Sequence, residues 1–277
     1  MSIHRADLGA PVAIGRSAEV FAWPERDMVV KLFPADYDAG QIQVEAAACQ
    51  EVVRQGLTPI GCHGTVQVDD AVGLLFDRVD GESLTKQAER NPLRTVSGAR
   101  DLARLHAELH EAHTDQFPEI REVATAALGT PPLEFLRPGQ RERAEQLIAA
   151  LPAGDCILHL DFHTENVFAH GDGLAIIDWQ TALRGAAAAD VAMTKLLIRD
   201  AELWPGTPFL KRVLVQLVRR LVLSTYLSEY QRLTGMTSQQ IDAWRVPVVV
   251  LRMSTLDIAS EREKFRRELT DALGEQE

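Results

Sequence analysis

The segment from His159 to Asp178, HLDFHTENVFAHGDGLAIID, constrains the fold of this chain more than any other stretch. Two short apolar runs, Val167–His170 and Leu174–Ile177, flank the tripeptide Gly171-Asp172-Gly173. Glycine and aspartate are turn residues, because they tolerate the positive φ angles that tight hairpin turns require. The sequence therefore predicts a β-hairpin here.

Three polar residues lie at the open end of this predicted hairpin. Asn166 precedes the first strand, Asp178 closes the second, and Asp161 lies in the loop that leads into the first. The midpoint of 166 and 178 is residue 172, so a symmetric hairpin brings Asn166 and Asp178 side by side. Clustered oxygen ligands suit a hard cation. One of the two carboxylates is then not needed as a ligand and is available for another role. Magnesium-dependent phosphoryl transfer needs that arrangement.

The charge and the cysteines of the chain limit its partners and its location. The 277 residues carry a formal net charge of −11, which argues against nucleic-acid binding through a basic surface. The same charge is compatible with a cationic small substrate. Cys49, Cys62 and Cys156 form no CxxC pair, so free thiols in a reducing compartment are expected.

The apolar segments give no sign of a membrane protein. The first residues have no apolar signal core, and the longest apolar stretch, 209–227, is interrupted by lysine and arginine. This stretch predicts a buried helix, and the expected location is cytoplasmic. The expected core positions of that helix are Leu214, Leu217, Val218 and Leu221.

Hydrophobic spacing divides the chain into two parts. The first has the short apolar runs of strands around one helical pattern, Ala39–Gln55, and the second is mostly helical. We expect an N-terminal lobe of residues 1–80, a connector near 77–84 and a helical C-terminal lobe of residues 81–277. Predicted helices of the second part are Ser97–Ala112, Pro138–Leu151, Ala186–Arg199 and Phe209–Tyr230.

Two charged residues of the first part lie on apolar faces. Lys31 stands within the strand pattern MVVKLF, and Glu45 lies on the apolar stripe of the following helix. Because an unpaired buried charge is costly, the two are expected to pair. In protein kinases such a pair grips the phosphates of ATP. In the alternative, Lys31 reaches solvent at a strand edge and Glu45 is solvated.

A turn at Gly15 to Ser17 precedes the Lys31 strand. Its backbone N–H groups could fold over phosphates, which is a common use of such loops. The sequence contains neither a GxGxxG nor a GxxxxGK[ST] pattern, so this motif is weak. A plain hairpin turn is the alternative.

Together these motifs resemble the aminoglycoside phosphotransferase and choline kinase group of small-molecule kinases. HLDFHTENVF is similar to the HGDxHxxNxx signature of that group, and IIDW is similar to its IDW metal motif. The resemblance covers about residues 10–200. It implies a bilobal α+β, protein-kinase-like fold. An N-terminal antiparallel sheet with one helix is followed by a mostly helical C-terminal lobe.

The resemblance also implies roles for individual residues. Asp161 becomes the catalytic aspartate, Asn166 and Asp178 the magnesium ligands, and Lys31 with Glu45 the pair that holds the phosphates of ATP. Further ATP contacts fall on the loop residues Gly15 and Ser17 and on the connector residues Asp77 and Val79.

Three further residues surround the catalytic loop in this comparison. Asp190 becomes a buried acid that braces the loop, and His159 is expected to be structural. His163 could contact the transferred phosphate or the substrate, or it could only hydrogen-bond the loop. A cluster of His106, His110 and His113 on one helix has a spacing that could bind zinc, but it lacks the HExxH glutamate.

Departures from the family pattern narrow the acceptor to a small molecule. Leu160 replaces the glycine that the group often has there, and only 12 residues separate Asp178 from Asp190. That leaves no long activation segment on which a protein substrate could dock. Residues that could instead line an acceptor pocket, or belong to the core or surface, are Trp204, Tyr226, Glu229, Tyr230, Trp244 and Asp257.

These observations predict an ATP- and Mg²⁺-dependent phosphotransferase that acts on a hydroxyl of a small molecule. An aminoglycoside, an amino alcohol or a sugar would fit, and antibiotic resistance is one role for such an enzyme. A non-catalytic nucleotide-binding module of the same fold is one alternative. A protein kinase is a second, disfavoured by the missing activation segment.

Overall fold

The computed structural model describes residues 3–15, 17–24, 27–200, 208–256 and 258–274. Its strands are β1 (Ala13–Ile14), β2 (Glu19–Ala22), β3 (Met28–Leu32), β4 (Cys62–Val68), β5 (Ala71–Asp77), β6 (Cys156–Leu158), β7 (Val167–His170), β8 (Gly173–Ile176) and β9 (Leu183–Gly185). Its helices are α1 (Ala39–Arg54), α2 (Leu84–Arg90), α3 (Arg94–Leu109), α4 (Ile120–Ala127), α5 (Pro138–Ala149), α6 (Ala187–Asp200), α7 (Phe209–Thr234), α8 (Ser238–Asp242), α9 (Arg245–Leu256) and α10 (Ala259–Leu273).

The chain forms two compact units. One comprises Met1–Lys86 and Glu165–Ala182, and the other comprises Gln87–Thr164 and Leu183–Glu277. The β7–β8 hairpin therefore belongs to the first unit, whereas the sequence-based division placed it in the second lobe. Long-range hydrogen bonds explain the difference: Thr58 Oγ1 donates to the carbonyl of Ile176, and the Ala169 N–H donates to the carbonyl of Glu82.

A five-stranded antiparallel sheet in the order β1-β2-β3-β5-β4 organises the first unit. Side chains alternate along β3, so Val30 packs into an apolar cluster on one face. Lys31 points to the other face, where α1 packs through Ile42 and Ala46. This alternation places the Lys31 ammonium beside α1.

Helix α1 begins and ends where capping chemistry predicts. The Asp38 carboxylate accepts a hydrogen bond of 2.7 Å from the Gly40 N–H, which satisfies one of the free donors of the first turn. Gly56 follows the helix with a φ of +74°, a conformation that glycine adopts without strain. The helix therefore ends within one residue of the predicted pattern, Ala39–Gln55.

The hairpin is present, but its register differs by one residue from the expectation. Val167 pairs with Ile176 and His170 with Gly173, so the turn contains two residues and is centred between 171 and 172. Gly171 supplies the positive φ, +53°, that a two-residue turn requires. Asn166 consequently lies opposite Ile177, whose N–H donates to the Asn166 carbonyl, and Asp178 follows one position later.

The second unit is mostly helical, with the β6–β9 pair as its sheet among the described residues. Leu102, Ile120 and Ile148 are fully buried and come from α3, α4 and α5. Hydrophobic spacing did not predict α2, α4, α8, α9, β6 and β9. These elements are too short for a full helical or strand period, or their sequences lack a clear apolar stripe.

Helix α7 is present as predicted, but its first half is not buried. Leu214 and Leu217 are 61% and 56% exposed, and Val218 and Leu221 are also exposed. The expected core assignment of these four residues is therefore wrong. The second half is buried through Tyr226 and Tyr230, so packing changes along one helix, which composition cannot reveal. Within the described residues, no helix has the length and hydropathy of a membrane span.

Candidate active site

The Lys31 ammonium is the centre of a charged cluster in the first unit. Its Nζ donates to Glu45 Oε1 at 2.8 Å and to Asp178 Oδ1 at 2.9 Å. The side chains of Lys31 and Glu45 are only 13% and 2% exposed. The expected contact between Lys31 and Glu45 is thus present, while its role in holding phosphates stays a prediction. The contact with Asp178 ties the closing residue of the hairpin to the sheet.

Burial and charge act against each other within this cluster. Burial lowers the pKa of Lys31, but the carboxylates of Asp178 and Glu45 outweigh it and leave that pKa above its ordinary value. Burial raises the pKa of Glu45, and the Lys31 charge offsets only part of this rise. The ammonium therefore stays charged at every physiological pH.

Gln180, which the sequence analysis did not single out, also joins this cluster. Its Oε1 lies 3.4 Å from Lys31 Nζ and accepts a hydrogen bond of 3.4 Å from Ser17 Oγ. The loop residue Ser17 is thereby linked to the residues after Asp178. The neighbouring Gly15 N–H donates to the Ala18 carbonyl at 2.9 Å. The spacing Ile-Asp-Trp-Gln was the signal that could have pointed to Gln180.

The residues expected to bind magnesium lie at one end of the hairpin. Asn166 is buried, and the Asp178 side chain is 32% exposed with one oxygen turned to Lys31. Asp178 also adopts a φ of +67°, a left-handed conformation that aspartate tolerates better than most residues. A carboxamide and a carboxylate oxygen form the donor set that Mg²⁺ prefers, with water and phosphate completing its shell. The donor chemistry therefore fits the predicted ion.

The connector residues begin at the end of β5. The Asp77 N–H donates to the Gly61 carbonyl at 3.0 Å, while the Asp77 carboxylate accepts from the Gly61 N–H at 2.8 Å and lies 2.7 Å from His63 Nε2. These contacts fix the strand end just before the partly buried Val79. Adenine contacts of Asp77 and Val79 stay a prediction.

Asp161 lies in the loop after β6, in the second unit. Its backbone N–H donates to His159 Nδ1 at 3.2 Å, and His163 Nε2 lies 3.6 Å from its Oδ1. His159 is fully buried, and its structural role stays a prediction, whereas His163 is partly exposed beside the carboxylate. The structure thus brings together all three loop residues singled out in the sequence.

The surroundings of Asp161 favour its ionised form. Burial raises the pKa of this carboxyl, but the hydrogen bond and charge of His163, with smaller effects of His159 and Arg252, leave its pKa below the ordinary value. Arg252 on α9 was missed in the sequence analysis. It forms a two-pronged ion pair with Glu261, and no motif marked it in advance.

Leu160 explains why glycine is common at this position in the kinase group. Its φ is +59°, a left-handed conformation that costs a side-chain-bearing residue about 1–2 kcal/mol. Asp190 holds this backbone: Oδ2 accepts from the His159 N–H at 2.5 Å and Oδ1 accepts from the Leu160 N–H at 2.9 Å. The expected contact of Asp190 with the loop is therefore present.

Comparison of the sequence with known protein families gives a match that covers most of the chain. Residues 9–221 match the family described as "Phosphotransferase enzyme family". The chain belongs to this phosphotransferase enzyme family. The resemblance inferred from the sequence motifs and the predicted enzyme class, a phosphotransferase, are confirmed. No curated protein sequence matches the chain.

Several solved structures of similar fold are aminoglycoside phosphotransferases. A thermostable mutant of APH(4)-Ia, in a ternary complex with AMP-PNP and hygromycin B, is 13% identical with a TM-score of 0.65, covering 95% of this chain and 92% of that one. An aminoglycoside-3'-phosphotransferase of type VIII is 16% identical with a TM-score of 0.57, covering 86% and 90%. APH(3'')-Id from Streptomyces rimosus, in complex with ADP and streptomycin, is 18% identical with a TM-score of 0.53, covering 89% and 95%. The predicted α+β, kinase-like fold class is confirmed.

The three histidines whose spacing could have bound zinc, a reading that the missing HExxH glutamate disfavoured, do not form one cluster in this phosphotransferase. His106 and His110 both turn one ring nitrogen towards Asp190, whereas His113 lies beyond the end of α3 and contacts Asp155 at 2.9 Å. The helix ends at Leu109, so the third histidine leaves the common face. The structure therefore does not bring the three histidines together.

Most of the residues considered for an acceptor pocket are part of the protein core or surface. Tyr226, Tyr230 and Trp244 are at most 1% exposed. Glu229 pairs with Arg104 and Arg232. Trp204 and Asp257 lie outside the described residues.

Proposed function

We propose that this phosphotransferase moves the γ-phosphoryl group of ATP to a hydroxyl group of a small molecule. The observation that carries the proposal is the Lys31 cluster, in which a buried ammonium is held by Glu45 and Asp178. This arrangement needs a reason, because burying one cation with two carboxylates is costly. Gripping the phosphates of a nucleotide supplies that reason.

In the proposed reaction, the acceptor oxygen attacks the γ-phosphorus while the bond to the β–γ bridging oxygen breaks. ADP leaves with the electron pair of that bond, and the hydroxyl proton passes to the Asp161 carboxylate. Because its pKa lies below the ordinary value, Asp161 is ionised and able to accept or orient this proton. Lys31 holds the phosphates in place through its ammonium group.

Magnesium belongs to this proposal. Asn166 and Asp178 are the residues that would hold it, as their oxygen donors suit a hard cation. When bound, the ion neutralises negative charge on the phosphate oxygens. The Lys31–Asp178 contact keeps one carboxylate oxygen in a fixed direction. A hydroxyl on an aminoglycoside, an amino alcohol or a sugar is the proposed acceptor, and the net charge of −11 favours a cationic one.

Replacement of the catalytic carboxylate tests the proposal. Release of ADP would be measured across aminoglycosides, macrolides, amino alcohols and sugars, with and without Mg²⁺. Asp161→Asn should lower turnover of the acceptor by about 1,000-fold while the Kd for ATP changes less than about threefold. Asp155→Asn, which alters an exposed acid paired with His113, serves as the matched control and should retain full turnover.

Two results would contradict the proposal. Wild-type turnover in Asp161→Asn removes the assigned base. ATP binding without ADP release in the presence of every acceptor class indicates instead a non-catalytic nucleotide-binding module. The cytoplasmic location stays a prediction.

A further inference from the structure

Two pairs of histidine and tyrosine lie in register beside the catalytic loop. His106 Nδ1 is 2.6 Å from the Tyr226 hydroxyl, and His110 Nδ1 is 2.7 Å from the Tyr230 hydroxyl. The histidines are four residues apart at the end of α3, and the tyrosines are four apart on α7. Each helix therefore presents its two residues on one face, one turn apart. The result is two His–Tyr hydrogen bonds that lie one helical turn apart.

The other ring nitrogens of both histidines converge on Asp190. His106 Nε2 lies 3.2 Å and His110 Nε2 3.4 Å from Asp190 Oδ2. A carboxylate only accepts hydrogen bonds, so the His110 Nε2 atom that bonds to it carries the proton. His110 Nδ1 is then an acceptor, and the Tyr230 hydroxyl donates to it. Tyr230 thus fixes the tautomer that His110 presents to Asp190. His106 Nε2 lies near the same oxygen without the geometry of a hydrogen bond.

This cluster holds the backbone on both sides of Asp161. On one side, Asp190 binds the N–H groups of His159 and Leu160 and so secures the left-handed conformation of Leu160. On the other side, the His106 ring stacks on Phe162 with centroids 4.0 Å apart. The Phe162 carbonyl in turn accepts a hydrogen bond of 2.9 Å from Thr194 on α6.

Burial makes the arrangement stiff. His106, Tyr226, Tyr230 and Asp190 have no exposed surface, and His110 is only 8% exposed. Charged or polar groups in such surroundings are held tightly, because breaking a contact leaves a buried group unsatisfied. His106, His110 and Asp190 could in principle ligate a metal ion. Both oxygens of Asp190 already accept backbone N–H groups, so the hydrogen-bonded network accounts for the contacts without an ion.

We propose that His106, His110, Tyr226 and Tyr230 are positioning residues that set the location of Asp161 through Asp190 and Phe162. None of them lies among the residues assigned to ATP, magnesium or the hydroxyl proton. They orient the carboxylate of Asp190, which fixes the strained backbone that carries the catalytic aspartate. The catalytic consequence rests on the proposed function, whereas the structural consequence does not.

The test uses graded variants of the full chain. Tyr230→Phe and Tyr226→Phe each remove one hydroxyl and keep the ring, so both should fold. His110→Phe removes both ring nitrogens, and His110→Gln restores an N–H donor near the position of Nε2. His113→Gln is the matched control, because His113 follows the same helix but contacts the exposed Asp155.

The first measurement is backbone amide hydrogen exchange of residues 159–162, compared with strand β6 (Cys156–Leu158) of the same protein. His110→Phe and the double variant Tyr226→Phe/Tyr230→Phe should speed exchange at Leu160 by about tenfold or more, with β6 unchanged. His113→Gln should change neither. Unchanged exchange at Leu160 in both test variants would overturn the proposal, whatever reaction the protein catalyses.

The second measurement separates positioning from general stability. In His110→Phe, kcat should fall by about 10- to 100-fold while the KM for ATP changes less than threefold. His110→Gln should recover at least part of kcat. Equal loss in the Gln and Phe variants, with equal loss of thermal stability, would assign these histidines a purely structural role. If the wild-type chain transfers phosphate to no acceptor, the proposed function fails while the exchange measurement still decides the positioning role.

Discussion

The two units hold buried carboxylates in opposite ways. In the first unit, Glu45 and Asp178 share the Lys31 ammonium, so the cluster contains one cation and two anions and is partly open at Asp178. In the second, Asp190 is closed from solvent and is satisfied by two backbone N–H groups and the imidazole of His110, with the His106 ring 3.2 Å away.

This difference indicates a difference in task. The Lys31 cluster can exchange partners. An incoming phosphate can bind the Lys31 ammonium, and an incoming cation can bind the Asp178 carboxylate, in place of the present contact between the two. The Asp190 cluster offers no such exchange, since its oxygens are engaged by groups of the protein itself. We therefore expect changes in the first cluster to act on nucleotide binding. Changes in the second should act on the position of the catalytic loop.

For this comparison of the two clusters, the largest expected kinetic effect comes from removing the cation of the open one. Lys31→Ala leaves the buried Glu45 without its partner and removes the group proposed to hold phosphate. We expect kcat/KM for ATP to fall by about 100-fold, mainly through KM, which corresponds to about 2.7 kcal/mol. Steady-state kinetics and calorimetric titration with ATP at fixed Mg²⁺ would measure it.

Lys211→Ala provides the control, because this lysine is exposed on α7. It should bind ATP as the wild type does. An unchanged kcat and KM for ATP in Lys31→Ala would show that the Lys31–Glu45 pair is only structural. The contrast with His110→Phe, where kcat is expected to change and KM is not, tests the division of tasks directly.

The chemistry of the two clusters could be predicted from the sequence better than their geometry. A lysine on an apolar strand and a glutamate on an apolar helix stripe are costly alone, so their pairing could be predicted from two positions. The third partner, Asp178, could not, because its contact with Lys31 depends on where the hairpin packs. The hairpin register was missed by one residue, since an Asp-Gly turn sequence is compatible with more than one turn length.

The Asp190 cluster was harder to predict. The i, i+4 spacing of His106 and His110 was visible, and it suggested a zinc ligand set. Their true partners, Tyr226 and Tyr230, lie 120 residues away in the sequence. Only the packing of α3 against α7 brings them together, and no local pattern encodes that packing.

The closed cluster should also make stability depend on pH. Burial lowers the pKa of His106 to about 4, with the charge of His110 acting in the same direction. The unfolded chain takes up this proton below about pH 6.5, whereas the folded chain resists it. The contribution of neutral His106 to the free energy of unfolding is therefore fully present above pH 6.5 and is lost as the pH falls towards 4. The slope reaches at most about 1.4 kcal/mol per pH unit.

Urea unfolding at several pH values between 7 and 4 would measure this slope. The variant His106→Gln cannot titrate, so its unfolding free energy should fall less steeply with decreasing pH. His113→Gln removes an exposed histidine and should keep the wild-type slope. Equal slopes in wild type and His106→Gln would show that His106 is protonated as readily in the folded chain as in the unfolded one.

The smallest expected effect is on the free energy of unfolding and concerns the exposed first half of α7. Leu217 lies nine residues before Tyr226 on the same helix and is 56% exposed, whereas Leu102 on α3 is fully buried. Leu217→Ser should change the free energy of unfolding by less than about 0.5 kcal/mol, because an exposed side chain contributes little to the packing of the folded chain. Leu102→Ala should cost about 2–5 kcal/mol. Urea unfolding followed by tryptophan fluorescence would compare the two, and a cost above 2 kcal/mol for Leu217→Ser would mean that the first half of α7 is covered in solution.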